Sequence, residues 1–157
     1  MEICVLSVGK IASSWIQHGI SHFESRICKY IKYTPIIVAD VKNSKSLPVE
    51  NIKEAEGKAI LKLLNNSDFV VLMDEKGIIS TSREFALWLQ KQMNTGIKRL
   101  VIIIGGPFGF SKEIYDRANS LLSLSKMTFT HEMAKLILTE QIYRGLTILK
   151  GEPYHQD

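Results

Sequence analysis

The sequence contains, between residues 101 and 109, the segment Val101-Ile102-Ile103-Ile104-Gly105-Gly106-Pro107-Phe108-Gly109. A continuous run of mostly β-branched residues is typical of a strand that is covered on both faces, as in a parallel sheet. The paired glycines allow the backbone to turn sharply and another group to approach closely. Because open α/β sheets bind ligands beyond the carboxyl ends of their strands, the segment predicts a ligand site. The alternative is a tight strand-to-helix turn that holds no ligand.

Strand and helix patterns alternate along the chain. The predicted strands cover residues 2–8, 35–41, 69–73, 99–104 and 123–125. The predicted helices cover residues 11–30, 49–64, 82–93 with a cap at Thr81 or Ser82, 111–122 with a cap at Ser111, and 130–150 before Gly151. We expect a loop at 42–48 and a turn at 74–77. This order predicts an α/β fold with a mainly parallel sheet, helices on both faces and a single domain over residues 1–157.

Composition narrows the class of protein. The 157 residues are 45% hydrophobic and 23% charged, which is ordinary for one soluble domain, and no apolar run approaches the length of a membrane span. Glu2 stands where a secretory signal carries bases, so we expect a cytoplasmic protein with no membrane partner. The two cysteines and four histidines lack metal-ligand spacing, which argues against a metal. The net charge of +4 leans weakly towards an anionic partner.

The last predicted helix is apolar on two sides. One arc holds Ala134, Leu138, Ile142, Gly145, Leu146 and Leu149; a second holds Met133, Leu136, Ile137, Tyr143 and Ile148; a narrow polar strip holds Glu132, Thr139 and Lys150. A helix that is apolar on two sides packs on two sides, so we expect a second subunit to cover one of them. The alternative is a helix fully buried in one chain. Glu140 and Arg144, four residues apart, can pair across a turn.

Several short motifs occur together in a fixed order. They are Val5-Leu6-Ser7-Val8-Gly9-Lys10, Gly105-Gly106-Pro107-Phe108-Gly109, Leu122-Ser123-Leu124-Ser125-Lys126-Met127-Thr128-Phe129-Thr130-His131, Glu140-Gln141-Ile142-Tyr143-Arg144 and Pro153-Tyr154-His155. Nucleophile elbows, P-loops, His-Glu-x-x-His sites and the dinucleotide glycine fingerprint are all missing. Taken together, the motifs resemble those of the ribosomal RNA large-subunit methyltransferase H family, of the SPOUT class, over essentially the whole chain.

The resemblance implies a fold, a reaction and a partner. It implies a C-terminal trefoil knot, a homodimer, S-adenosylmethionine bound in the knot, and methylation of N3 of a pseudouridine in large-subunit ribosomal RNA on assembled ribosomes. It implies cofactor contacts from Met73, Gly105, Leu124, Ser125, Lys126, Met127, Thr128 and Phe129, and we include the neighbouring Gly106. Simple core packing is the alternative for Leu124, Met127 and Phe129. We expect Gly105→Val to block cofactor binding without unfolding the protein.

Methyl transfer to a ring nitrogen requires removal of a proton. His131 at the start of the last helix, or His155 in the tail of either subunit, is a candidate base. A helix N-terminus favours the neutral form of histidine that a base needs. Alternatively, each histidine only forms hydrogen bonds, and the proton leaves to water.

Two further residues are candidates for contacts with RNA. Tyr154 can stack on a base, and Arg144 can bind a phosphate or the uracil carbonyls. The alternatives are a tyrosine docked on the surface and a salt bridge within the helix. The chain departs from the family pattern at Thr130, where a proline is usual, and at Gln156-Asp157, where a base often follows the histidine.

Other functions remain open from the sequence. A methyltransferase for transfer RNA or another nucleoside and a non-catalytic ribosome-binding module both fit the same motifs. A flavodoxin-like nucleotide-binding enzyme fits the alternation of elements alone.

Overall fold

Strands and helices alternate through the computed structural model, which describes residues 1–155. The strands are β1 (Glu2–Val8), β2 (Lys32–Val38), β3 (Phe69–Ile79), β4 (Arg99–Ile104) and β5 (Ser120–Ser123). The helices are α1 (Ser14–Ile27), α2 (Val49–Leu61), α3 (Ser82–Asn94), α4 (Lys112–Arg117) and α5 (His131–Lys150), and a short 3-10 turn, Ser44–Ser46, lies in the predicted loop.

The five strands form one parallel sheet in the order β2-β1-β4-β3-β5. Successive side chains of a strand point to opposite faces of the sheet, and those of β1 and β4 are buried on both faces. Ile3 and Val5 pack with residues of α1, α3 and α5, whereas Cys4 and Leu6 pack with residues of α2 and α4. The predicted α/β fold with a mainly parallel sheet and helices on both faces is confirmed.

The region after Met73 differs from the prediction. Residues 74–77 lie within β3 and do not form a turn that ends the strand. The pairing of β3 with β5 shifts register between Met73 and Ile78, so the strand continues through an irregularity. Gly77 allows this, because a Cβ atom there would lie 2.5 Å from the backbone of Leu122. Residues 74–77, whose types are typical of a turn, therefore lie inside a strand. The close backbone contact between Gly77 and Leu122 stabilises this strand.

Several element boundaries also differ. The helix predicted over 111–122 ends at Arg117, because the N–H of Asn119 donates to the carbonyl of Val70 and begins the β5 edge. Consequently β5 occupies 120–123 and not 123–125. β2 begins and ends earlier than the predicted 35–41, α1 is shorter than 11–30, and α2 ends at Leu61.

Helix caps show where local sequence prediction succeeded. Thr81 and Glu84 form a capping box at α3, with the Glu84 N–H donating to Thr81 Oγ1 over 3.2 Å and the Thr81 N–H donating to the Glu84 carboxylate over 2.7 Å. Gly151 ends α5 in the left-handed conformation, as predicted. Ser111 precedes α4, but its side chain makes no capping hydrogen bond.

Helix α5 packs against α1 and α3, and its surroundings only partly match the two predicted arcs. Leu138, Ile142 and Leu146 are buried, as the first arc requires. Thr139, which we expected on a polar strip, is fully buried and donates its hydroxyl to the Lys135 carbonyl. From the second arc, Tyr143 is buried, while the other four members remain half-exposed in the single chain: Met133, Leu136, Ile137 and Ile148.

No helix within residues 1–155 combines the length and apolar character that crossing a membrane requires.

Candidate active site

An open cavity of about 610 Å³ lies at the carboxyl ends of β3 and β4. Several segments of the chain form its wall. They are residues 73–76, where the regular part of β3 ends, residues 104–110, Tyr115 of α4, residues 123–130 apart from Lys126, and the first turn of α5 with His131 and Ala134. The parallel sheet brings these segments together, because all its strands point their carboxyl ends at the same edge. The volume is typical of a small-molecule site, which is usually about 300–1,000 Å³.

Eight of the nine predicted cofactor contacts line this cavity. They are Met73, Gly105, Gly106, Leu124, Ser125, Met127, Thr128 and Phe129. Lys126 is exposed and lies outside the wall. Met127 is 75% exposed and Phe129 is 39% exposed, so the alternative that these two side chains pack in the core is wrong. The structure thus brings residues that are up to 56 positions apart in sequence to one ligand-sized space.

The two glycines at the end of β4 are sites of close contact. A Cβ atom added at Gly105 would lie 2.9 Å from the ring of the buried Phe110. The missing side chain therefore makes room for Phe110. A valine at this position would displace the Phe110 ring, so a loss of cofactor binding in Gly105→Val would reflect altered packing as well as a lost contact.

Short polar contacts shape the loop after β5. The Ser123 hydroxyl donates to the Ser125 carbonyl over 2.9 Å, and the Met127 N–H donates to Ser125 Oγ over 3.0 Å. These bonds turn the chain beside the cavity. The loop can offer remaining backbone donors and acceptors, together with the apolar faces of Leu124 and Met127, to a flat heterocycle.

Acidic groups, which the sequence analysis missed, line the same cavity. Asp74 and Glu75 lie at the end of the regular part of β3, and the Tyr115 hydroxyl donates to the Asp74 carboxylate. Burial, and then the contact with Asp74, raises the pKa of Tyr115 to about 12, so the phenol stays protonated at neutral pH. The only sequence signal for these carboxylates is their position directly after a buried strand, where the pattern predicts a turn.

His131 opens α5 and lines the cavity. Its Nε2 atom is buried and has no hydrogen-bond partner among residues 1–155, and a Cβ atom placed on Gly9 would lie 3.4 Å from it. Thr130, the departure from the family pattern, caps the helix by accepting from the Met133 N–H over 3.3 Å. A neutral imidazole has one nitrogen that can accept a proton, so His131 has the chemistry of a base at this position.

A buried lysine one turn further along α5 was also missed. Lys135 donates to Ser7 Oγ over 3.2 Å, and burial lowers the pKa of its ammonium group. Glu24 interacts with it, and burial raises the pKa of that carboxyl. This polar contact joins the start of α5 to the end of β1. The only indication of Lys135 in the sequence is its helical spacing of one turn from His131.

The three remaining predicted catalytic residues form a separate cluster. Arg144 Nε donates to Glu140 Oε1 over 2.9 Å, and Arg144 Nη1 lies 3.3 Å from His155 Nδ1. The guanidinium also lies 4.7 Å from the centre of the Tyr154 ring, and the Tyr154 hydroxyl donates to Glu140 Oε1. The predicted Glu140–Arg144 pair is therefore confirmed, and its hydrogen bond raises the pKa of Arg144.

This cluster is far from the cavity within one chain. Because an α-helix rises about 1.5 Å per residue, His131 and Arg144 are roughly 20 Å apart along α5. Arg144, Tyr154 and His155 do not line the cavity. The described chain therefore divides the predicted catalytic residues into two groups. The predicted tail features at Gln156 and Asp157 lie outside the described residues.

Histidine, cysteine, aspartate and glutamate side chains of residues 1–155 form no cluster of three or more suited to a metal ion.

Comparisons with known proteins agree with the resemblance drawn from the motifs. A family model described as "Predicted SPOUT methyltransferase" matches residues 1–155. The chain is 48% identical over 155 residues to a ribosomal RNA large subunit methyltransferase H of Christiangramia forsetii, with 99% of both chains covered. It is 45% identical to proteins of the same name in Parabacteroides distasonis, with 100% of both chains covered, and in Flavobacterium psychrophilum, with 99% of both covered.

Proposed function

This chain belongs to the SPOUT methyltransferase family, and on that premise we propose that it methylates N3 of a pseudouridine in large-subunit ribosomal RNA, using S-adenosylmethionine. The observation that carries the proposal is the 610 Å³ cavity that gathers eight of the nine predicted cofactor contacts. The names of the full-length relatives support large-subunit ribosomal RNA over transfer RNA as the substrate.

The cavity fits a methyl donor of this kind. Leu124, Met127 and Phe129 can cover the faces of an adenine, and the backbone of the loop after β5 can meet its edges. The carboxylates of Asp74 and Glu75 suit a ligand with positive charge. When bound, S-adenosylmethionine supplies a methyl group that its sulfonium already activates. The trefoil knot that the resemblance implies around this site stays a prediction.

The chain itself has to orient the reactants, exclude water and accept a proton. We assign proton removal from N3 to His131, because its buried Nε2 lacks a partner among the described residues and its side chain lines the cavity. Backbone groups at the cavity wall can stabilise the anionic ring.

A second copy of the chain completes the site in this proposal. Arg144 lies roughly 20 Å along α5 from His131, and Tyr154 and His155 contact Arg144. These three residues would therefore act at the cavity of the other subunit. The half-exposed members of the second arc of α5 are the surface that such a homodimer would cover. Tyr154 would then stack on a base and Arg144 would bind phosphate or uracil carbonyls.

Mixed dimers test this arrangement. One chain carries His131→Ala and the other lacks residues 153–157, so each homodimer lacks one essential part. Mixed dimers contain one complete site, with the cavity of the truncated chain and the tail of the other. We expect activity to reappear on mixing; two inactive homodimers that stay inactive after verified subunit exchange would contradict a shared site.

The RNA partner is a structured ribosome in this proposal. The chain has a net charge of +4, and Lys126 is exposed beside the cavity, which suits a phosphate backbone. A ribosomal substrate also implies a cytoplasmic location.

The decisive experiment compares RNA substrates directly. Purified protein and labelled S-adenosylmethionine are incubated with ribosomes, free large subunits and bulk transfer RNA from a strain that lacks this protein. We expect label only in large-subunit ribosomal RNA, at one nucleotide that mass spectrometry identifies as N3-methylpseudouridine. Label in transfer RNA would favour the alternative methyltransferase. Ribosome binding without donor binding would favour the non-catalytic module.

A further inference from the structure

A buried lysine near the start of α5 joins this helix to the sheet. Lys135 is only 3% exposed, and its ammonium group donates over 3.2 Å to the hydroxyl oxygen of Ser7, a residue that is 1% exposed. Removing an ammonium group from water is costly unless hydrogen bonds and opposite charge compensate it. Glu24 of α1 supplies negative charge, which opposes the fall in the pKa of Lys135 that burial causes. The lysine is therefore held at a defined place between β1 and α1.

Lys135 and His131 lie on the same face of α5. They are four residues apart, so their Cβ atoms are neighbours at about 5–6 Å on the helix surface. The end of β1 contacts both residues. Ser7 accepts the hydrogen bond from Lys135, and two residues later a Cβ atom placed on Gly9 would lie 3.4 Å from His131 Nε2. The position of the imidazole therefore depends on how α5 lies against the end of β1.

Two hydrogen bonds fix the start of α5 against β1 and the loop that follows it. At the surface, the Ala12 N–H donates to Glu132 Oε1 over 2.6 Å. In the interior, Lys135 donates to Ser7. A helix held at one point can still rotate about that point, whereas a second bond roughly 4.5 Å further along the axis removes this freedom. Residues 124–130, which precede α5, belong to no helix or strand, so the buried bond is needed to orient the first turn.

We infer that Lys135 is a positioning residue, which through its bond to Ser7 holds the His131 imidazole at the cavity for proton removal. This inference rests on the proposed function, in which His131 accepts the N3 proton. Misplacing a reacting group by about 1 Å can slow an enzymatic step by about a hundredfold. The proposed donor contacts all precede α5 in the chain, so loss of the bond should slow methyl transfer and leave donor affinity unchanged.

Two buried hydroxyl groups provide a matched pair of variants. Ser7→Ala removes the acceptor of the Lys135 bond. Thr139→Val removes a hydroxyl that is equally buried, at 0% exposure, but donates within α5 to the Lys135 carbonyl over 2.7 Å. We expect Ser7→Ala, and likewise Lys135→Met, to slow methyl transfer to ribosomes at saturating S-adenosylmethionine by at least about tenfold. Thr139→Val should change this rate by less than about threefold, and the donor Kd from calorimetry should stay within about threefold in all three variants.

Two further measurements show whether the effect acts through His131. In a His131→Ala background, Ser7→Ala should cause no further loss of rate, because the group that it positions is already missing. In the protein without ribosomes, the imidazole NMR signals of His131 are assigned by their loss in His131→Ala. They should shift in Ser7→Ala and keep their positions in Thr139→Val.

The outcomes distinguish this role from a structural one. An unchanged rate in Ser7→Ala or in folded Lys135→Met would overturn the inference while the proposed function stands. An equal loss of rate in Thr139→Val, or a further loss in the His131→Ala background, would do the same. If Lys135→Met does not fold, Ser7→Ala decides, because it removes a single hydroxyl group. If the unmodified protein does not methylate large-subunit ribosomal RNA, the proposed function and this inference are both wrong.

Discussion

Replacing Asp74 by asparagine should change the preference of the cavity for a positively charged ligand. S-adenosylmethionine carries one more positive charge than its product S-adenosylhomocysteine, because the sulfonium becomes a neutral thioether after methyl transfer. Asp74 lines the cavity and accepts a hydrogen bond from Tyr115. The asparagine side chain would keep the size and an acceptor oxygen while removing the negative charge.

The size of the effect follows from the size of the cavity. A sphere of about 610 Å³ has a radius of roughly 5 Å, so a carboxylate on its wall lies on the order of 5 Å from a central charge. Coulomb attraction at this distance is about 3 kcal/mol at an effective dielectric constant near 20 and about 1 kcal/mol in water. The open cavity lies between these limits. We therefore expect Asp74→Asn to weaken S-adenosylmethionine binding by about tenfold and S-adenosylhomocysteine binding by less than about threefold.

Calorimetry with both ligands measures this difference directly. Glu113→Gln provides a matched control, since it removes one exposed carboxylate that does not line the cavity. Tyr115→Phe removes the phenol hydroxyl but keeps the carboxylate, so it should preserve the ratio of the two affinities. Equal weakening of both ligands by Asp74→Asn, or the same selective change in Glu113→Gln, would refute the electrostatic reasoning.

Three further changes have outcomes that the structure specifies. Thr81→Ala should lower the free energy of unfolding by about 1 kcal/mol, because it removes the α3 capping box. The same box lowers the pKa of Glu84 below its ordinary 4.5, so the difference from the unmodified protein in urea denaturation should shrink as pH falls below that value. Asp68→Ala leaves Arg99, its partner at 2.8 Å, without a carboxylate and should cost about 3–5 kcal/mol by the same measurement; a loss under about 1 kcal/mol would show that the pair is dispensable. Deleting residues 153–157 should abolish methylation of ribosomes yet leave the dissociation constant for S-adenosylmethionine unchanged, and retained methylation would remove the tail from the mechanism.

Local signals in the sequence predicted most elements but not all their ends. The strand at the apolar run 101–104 and the helix cap at Thr81 depend on neighbouring residues, and both predictions are confirmed. The turn predicted at 74–77 failed because β5, about 45 residues later in the chain, keeps these polar residues in a strand. Local propensity contains no information about such a partner.

The residues of the candidate site were likewise predicted only in part. The motifs pointed to loop 124–129 and to Gly105 before any geometry was known, and these residues, apart from Lys126, line one cavity. The sequence did not point to Asp74 and Lys135, because the partner that each contacts lies far away along the chain. The length of α5 also separates His131 from the cluster of Arg144, Tyr154 and His155. No short sequence motif indicates this length.

The sequence by itself determined the parallel α/β architecture, the family and the loop at 124–129 as part of the candidate site, because strand runs, caps and motifs are properties of adjacent residues. Only the tertiary structure decided what faces the cavity, which carboxylates are buried, and how far the tail lies from the first turn of α5. Those properties arise from packing between segments that are distant along the chain. Burial and neighbouring groups there determine which side chains are charged and which residues are in contact.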